Sequence, residues 1–255
     1  MLNIPLIYYV LRAARRDRLV HTFVILVGVT VSLALFIGDA AVLEKTQFVT
    51  VYAAGFLRFL TVGAAVLFTA FYIERAYSQR EVEFLLARPI ARSVFVVAHL
   101  SAFILIALIL SALAFTGLAV AAQGHVMSVG GGLWLASLFL EAMLMMWVAF
   151  FFGMVLMSST VSALMAFAFY ALARLSGQML GIVHENAVTW GAGILNPLTK
   201  FISILVPRFD MMTQSSWLIY GPQGNDGMVF LLAQAGAFGL LVAAAAVIDL
   251  KRRQF

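Results

Sequence analysis

Six apolar runs, each close to the length that crosses a bilayer, decide what this chain of 255 residues can become. A helix rises ~1.5 Å per residue, so ~20 apolar residues span the ~30 Å hydrocarbon core. The runs are Leu19 to Ile37, Val51 to Ile73, Val94 to Ala122, Leu133 to Met157, Val161 to Leu180 and Met228 to Ile248. Lipid offers backbone groups no hydrogen bonds, so such runs must be helices. The expected fold is an all-α polytopic membrane protein with six transmembrane helices, residues 1–255 forming a single transmembrane domain. Charged residues are 11% of the chain, against roughly 25% in soluble domains, which excludes a soluble enzyme. The first run exceeds the apolar core of a signal peptide and reads as a retained anchor. The absence of cysteine excludes disulfides, thiol catalysis and cysteine-based metal sites. A net charge of +5 would suggest nucleic acid only if the basic residues clustered on a soluble face. They flank the apolar runs instead, so no nucleic-acid partner is expected.

The distribution of those basic residues sets an orientation. Alternating the loops puts the N-terminus, the 74–93 loop, the 158–160 turn and the C-terminus on one side, with eleven Lys and Arg against three opposite (Lys45, Lys200 and Arg208). Basic residues accumulate on the cytoplasmic side, so both termini are expected there. No repeat of 20 to 50 residues is visible, which argues against an inverted-repeat transporter.

The loops differ in what they can hold. Ser158, Ser159 and Thr160 make a turn too short for a site, although a hydroxyl there suits the opening of the next helix. Gly130 to Gly132 read as a flexible turn. The outer segment 181–227 is long and stays largely apolar from Ala187 to Val206, broken by Gly191, Gly193, Pro197 and Pro207. Two short re-entrant helices or a folded outer cap would each bury that surface.

Between the second and third runs lies ERAYSQREVEFLLARPIARS, residues 74–93. Val82, Leu85 and Leu86 fall at helical spacing, and Pro89 ends the pattern because the residue before proline avoids the helical region. A short helix with one apolar stripe and a charged rim follows. Its stripe needs cover, either lipid headgroups or a groove on a cytosolic partner.

At Glu74, Arg75, Glu81, Glu83, Leu85, Leu86, Ala87, Arg88, Pro89 and Arg92 the loop resembles that of permease subunits of ABC-2 type transporters. It departs from them at Gln79-Arg80-Glu81, where many members carry a glycine before the acidic residue. A second stretch, Leu205 to Gly221, contains Pro207, Phe209 and Asp210 and resembles the Pro-x-Phe-Asp stretch before the last span. That feature occurs in the branch that includes the permease of the nitrous-oxide-reductase maturation transporter. The resemblance implies a bacterial cytoplasmic (inner) membrane subunit. It would pair with a second permease copy or paralogue and with two ABC ATP-binding subunits. It also implies an N-terminal interfacial helix within 1–18, although Ile4 to Leu19 looks only weakly amphipathic on a helical wheel. Glu74, Arg75, Glu81, Val82, Glu83, Leu85, Leu86, Arg88 and Pro89 would then form the coupling helix that docks on the ATPase. The sequence has no G-x-x-x-x-G-K-[ST] loop, so ATP and Mg are expected only in the partner, with no cofactor and no catalytic residue here.

Ionisable groups inside spans are costly and mark pairs or paths. Arg58, Glu141 and Arg174 lie at similar depth in the second, fourth and fifth runs. They form either a buried cluster tying those spans together, or arginines reaching along their own stems to the outer headgroups, or a contact for an anionic substrate group. His99, near the start of the third run, reads as an interfacial residue. His125 and His184 are too scattered for a metal site, and Met143, Met145, Met146, Met154 and Met157 read as adaptable packing rather than copper ligands. Gly177 and Gly181 form a G-x-x-x-G suited to close helix approach, and hence to a permease dimer contact. The rivals to a permease are a membrane scaffold or sensor that binds a cytosolic partner through 74–93, and a membrane-embedded lipid-modifying enzyme. The enzyme would need clustered acids, and here they are dispersed.

Overall fold

The computed structural model describes residues 4–40, 44–79, 91–185, 206–221 and 226–252, and their side chains apart from 177–185 and 226–228. The described residues form α1 (Ile4–Arg16), α2 (Leu19–Gly38), α3 (Lys45–Ser78), α4 (Arg92–Ala121), α5 (Val129–Leu156), α6 (Ser159–Glu185), a single 3-10 turn (Phe209–Met211), α7 (Ser216–Tyr220) and α8 (Asp226–Arg252). Among them there is no strand. Six helices, α2 to α6 and α8, are long and apolar enough to cross a membrane, so this is a multi-pass helical membrane protein. The coupling-helix residues Glu81, Val82, Glu83, Leu85, Leu86, Arg88 and Pro89 lie outside the described residues. So does most of the segment expected to re-enter the membrane.

α5 is the axis of the bundle, and α3, α4, α6 and α8 pack around it. Trp134, Leu138, Ala142, Met145, Met146 and Phe150 are fully buried along its length. Lipid is as apolar as leucine, so close packing rather than expulsion of water must hold spans together. Small residues supply that closeness: Ala53, Ala54 and Ala65 on α3 and Ala102, Ala107 and Ala114 on α4 are buried to 1% exposure or less. Gly153 on α5 sits so near Ile73 that an added Cβ would lie 3.1 Å from its Cγ2. The outermost helices keep large apolar side chains outside, among them Ile25 and Phe36 on α2 and Leu240 and Leu241 on α8, as a lipid-facing surface requires. α3, with 34 residues, would be ~51 Å long and overruns the hydrocarbon. Its last turns carry Glu74 and Arg75 past the apolar core.

One end of the bundle gathers the α1–α2 elbow, the end of α8 and the two helix ends that flank residues 80–90. Arg75 Nη1 donates to Asp17 Oδ1 at 2.6 Å, tying the end of α3 to the elbow between α1 and α2. Arg92 Nη1 donates to the carbonyls of Leu250 (2.8 Å) and Lys251 (3.1 Å), capping α8 where its last carbonyls lack helical partners. At the opposite end are the Asp39–Lys45 ion pair and the 206–221 segment.

Two sequence expectations are corrected here. α1 is distinctly amphipathic: Leu6, Val10, Ala13 and Ala14, spaced four, three and one apart, are buried against α4 and α2. Ile4 and Tyr8 are apolar too but face outward, which blurs the stripe on a wheel. Gly130 to Gly132 are not a turn but the first turn of α5, whose N-cap Ser128 accepts from the Gly131 N–H at 3.4 Å. Glycine is there for space, because a Cβ on Gly130 would strike the Trp217 carbonyl and one on Gly131 the Val126 carbonyl.

Candidate functional site

Glu141 is the centre of the only fully buried carboxylate cluster among the described residues, and helical spacing explains how it is built. Ser137 and Glu141 on α5 are four residues apart, as are Tyr170 and Arg174 on α6, so each pair shares one helix face. The two faces meet. Glu141 Oε1 accepts from Tyr170 Oη at 2.7 Å and from Arg174 Nη1 at 3.3 Å, and Oε2 accepts from Thr213 Oγ1 at 2.7 Å. Glu141 is 0% exposed and Arg174 23%, so the pair is shielded from solvent on the carboxylate side.

The 206–221 segment closes over this cluster. Arg174 Nη1 donates to the Phe209 carbonyl at 2.5 Å and lies 3.4 Å from both the Met212 carbonyl and Thr213 Oγ1. Two hydrogens on that nitrogen cannot serve four acceptors fully, so the Phe209 bond dominates and the others share what remains. Arg58, from α3, donates Nη1 to the Thr213 carbonyl at 3.3 Å rather than to Glu141. Its Nε is buried and makes no hydrogen bond to the described residues. Thus one carboxylate and three peptide carbonyls face two guanidinium groups. The cluster keeps a net positive charge.

Thr213 is the keystone. Its N–H donates to Ser137 Oγ at 3.0 Å, its hydroxyl donates to Glu141 and faces Arg174 Nη1 at 3.4 Å, and its carbonyl accepts from Arg58, so all its polar groups are engaged and α3, α5 and α6 are linked through one residue. It holds φ at 48°, in the left-handed region that costs a non-glycine residue roughly 1–2 kcal/mol. A strained residue persists only where its surroundings overdetermine it, and such residues gather at functional sites.

The Pro207, Phe209 and Asp210 stretch lies directly beside the cluster. Phe209 is fully buried, with its ring centroid 5.8 Å from that of Tyr170. Asp210 pairs with Arg208 at 2.8 Å, and the Arg208 N–H donates to Gln234 Oε1 at 3.1 Å while Gln234 Nε2 donates to the Val206 carbonyl at 3.3 Å. Gln234 thereby clamps the start of the segment to α8. The other end is held by close approach of α7 to Gly130. Residues 206–221 therefore form a plug of a 3-10 turn and one short helix, anchored by the buried Phe209, Met212, Thr213 and Leu218 while Tyr220 stays exposed.

Arg58, Glu141 and Arg174 converge on this plug. Of the loop residues, Glu74 and Arg75 stand at the far end of α3, well away from it. Reading the sequence missed Tyr170, Thr213 and Ser137. Tyr170 and Ser137 had a signal, four residues before Arg174 and Glu141 respectively; Thr213 had none. His99 also differs from expectation. It is 2% exposed, enclosed by Phe95, Phe103, Phe150 and Tyr72, and so is a core residue rather than an interfacial one. Its Nδ1 lies 2.8 Å from the Phe95 carbonyl, which cannot donate, so Nδ1 carries the proton and Nε2 accepts from Tyr72 Oη at 3.2 Å. His125 Nδ1 bonds the Ala122 carbonyl at 2.9 Å and so serves its own turn. Met145, Met146 and Met154 are buried among apolar side chains.

Comparison with protein-family models, curated proteins and solved structures finds no match to this chain.

Proposed function

We propose that this chain is the transmembrane subunit of an ABC-2 type transporter in the bacterial inner membrane. In this reading both termini are cytoplasmic, α1 is an interfacial helix, and the 74–93 loop docks on a separate ATP-binding subunit. Two permeases and two ATPases form the working unit, and export is its direction. The observation that carries the proposal is how the base of the loop is wired. Arg75, entering it, is bonded to Asp17 beside α1, and Arg92, leaving it, caps α8. A force on the loop is thus delivered to the first and last helices as well as to α3 and α4.

The positive cluster around Glu141, which meets α3 at Arg58 about 24 Å along the helix from Glu74, supports a path for an anionic group, because the arginine fork suits carboxylate and phosphate. α3 spans both, carrying Arg58 toward one end and Arg75 at the other, so it is the element through which a cytoplasmic push reaches the plug.

Association is tested by reversing charge in the loop. Glu81→Lys with Glu83→Lys is expected to abolish recovery of the ATPase with the tagged chain in detergent pull-downs, with the chain itself still folded by size exclusion. Recovery at the wild-type level would remove the coupling role.

A further inference from the structure

We infer that the seam between α2 and α4 holds one acidic phospholipid, its headgroup at the α1–α2 elbow and one acyl chain lying along the furrow above. The seam is open at two successive levels. The lower cleft, about 340 Å³, is lined by Leu11, Ala14, Arg15, His21, Ile109 and Leu110. The upper, about 410 Å³, is lined by Gly28, Val31, Ser32, Leu113, Thr116 and Gly117. Each falls in the range of roughly 300–1,000 Å³ that small-molecule sites occupy.

Three observations identify the occupant. The first is direction: α2 and α4 rise from the same end of the bundle, and the lining advances by three or four residues on each helix, so the clefts form one furrow. From His21 to Ser32 it runs about 16 Å at ~1.5 Å per residue, which is about one leaflet of a ~30 Å core.

The second is polarity. Apolar side chains line almost all of the furrow, and the hydroxyls within it are spoken for: Ser32 Oγ donates to the Gly28 carbonyl at 2.9 Å and Thr116 Oγ1 to the Leu113 carbonyl at 2.8 Å. Above the mouth a polar substrate would find no free hydroxyl donor. A hydrocarbon chain needs nothing.

The third is charge. Arg15 and His21 stand at the lower mouth, exposed, with Arg12, Arg16 and Arg18 close by in sequence on the same elbow. The one carboxylate on this elbow, Asp17, is taken by Arg75. The mouth is therefore cationic, and an anionic phosphate completes it. Because acyl chains gain little by leaving bulk lipid, the headgroup must supply the selectivity and the furrow the residence.

The structure also offers a clean way to block the furrow. A Cβ on Gly28 would meet nothing within 4 Å, whereas one on Gly117 would strike Val27. Gly28→Phe starts from that open Cβ position and sends a bulky side chain into the furrow.

The test is native mass spectrometry of the full chain in nanodiscs or detergent, with phosphatidylglycerol or phosphatidylcholine as the probe lipid. The wild-type chain is expected to retain one phosphatidylglycerol in preference to phosphatidylcholine. Arg15→Ala with His21→Ala removes one guanidinium charge and one ring donor and should weaken that retention by at least about fivefold. Gly28→Phe should displace the lipid while leaving elution and melting unchanged. Equal retention of the two lipids, or wild-type retention in either variant, overturns the site. Since the chain has no cysteine, Gly28→Cys adds a direct check on cover by a second copy. A disulfide-linked dimer formed in membranes would assign the furrow to a protein contact and contradict the proposal.

Discussion

Glu141 sits where a single change separates charge from shape. Removing one partner of a buried ion pair leaves the other uncompensated, at a cost of about 3–5 kcal/mol, whereas replacing both by apolar groups is often neutral. Glu141→Leu is therefore expected to lower the melting temperature markedly, and Glu141→Leu with Arg174→Leu to restore much of the loss, in a double-mutant cycle completed by Arg174→Leu and read by thermal unfolding in detergent. If Glu141→Gln and Arg58→Ala both leave assembly and melting unchanged, the cluster is not structural. Gly130 tests the plug from its other side. Gly130→Ala drives a methyl into the Trp217 carbonyl and should cost about 1–3 kcal/mol by overpacking, seen as a lower melting temperature. Two of the missing partners, Tyr170 and Ser137, were legible in the helical period once Arg174 and Glu141 had been singled out. Thr213 was not, because its role comes from a left-handed backbone and a plug built by contacts distant in sequence.

Helices were the most legible feature, since an apolar run long enough for a bilayer has few alternatives. Their ends were not. α3 runs on through Glu74 to Ser78, and α5 begins at Val129, before the glycines that a reading by propensity makes a turn. Both extensions are tertiary: α3 is held at its end by Asp17, and α5 starts where only glycine fits beneath Trp217. α1 shows the same limit in reverse, its stripe hidden among outward apolar residues that suit an interface. The consequence for α1 is testable. Val10, 0% exposed at the centre of the stripe, should tolerate no charge: Val10→Asp is expected to release α1 from α4 and make the N-terminal segment protease-sensitive. Asp17→Ala, which removes a partly exposed pair, should change stability by no more than about 1 kcal/mol.

Taken as one body, the molecule has a wired end and a plugged end joined by α3 and α5. At the wired end Arg75 and Arg92 tie the loop to the first and last helices; at the plugged end Arg58, Glu141 and Arg174 grip Thr213. Under the proposed function, such an arrangement would give a motor on one side a lever to a charged site on the other. The absence of cysteine from the sequence permits a direct reading of that lever with a single reporter. Gln214, half-buried beside Thr213, is the position for it. With Gln214→Cys in membranes that also hold the proposed ATP-binding partner, the labelling rate by an impermeant thiol reagent is expected to change severalfold when ATP and vanadate are added, and to stop changing when Glu81→Lys and Glu83→Lys are introduced. A rate that stays the same with and without nucleotide, partner present and bound, would contradict the account.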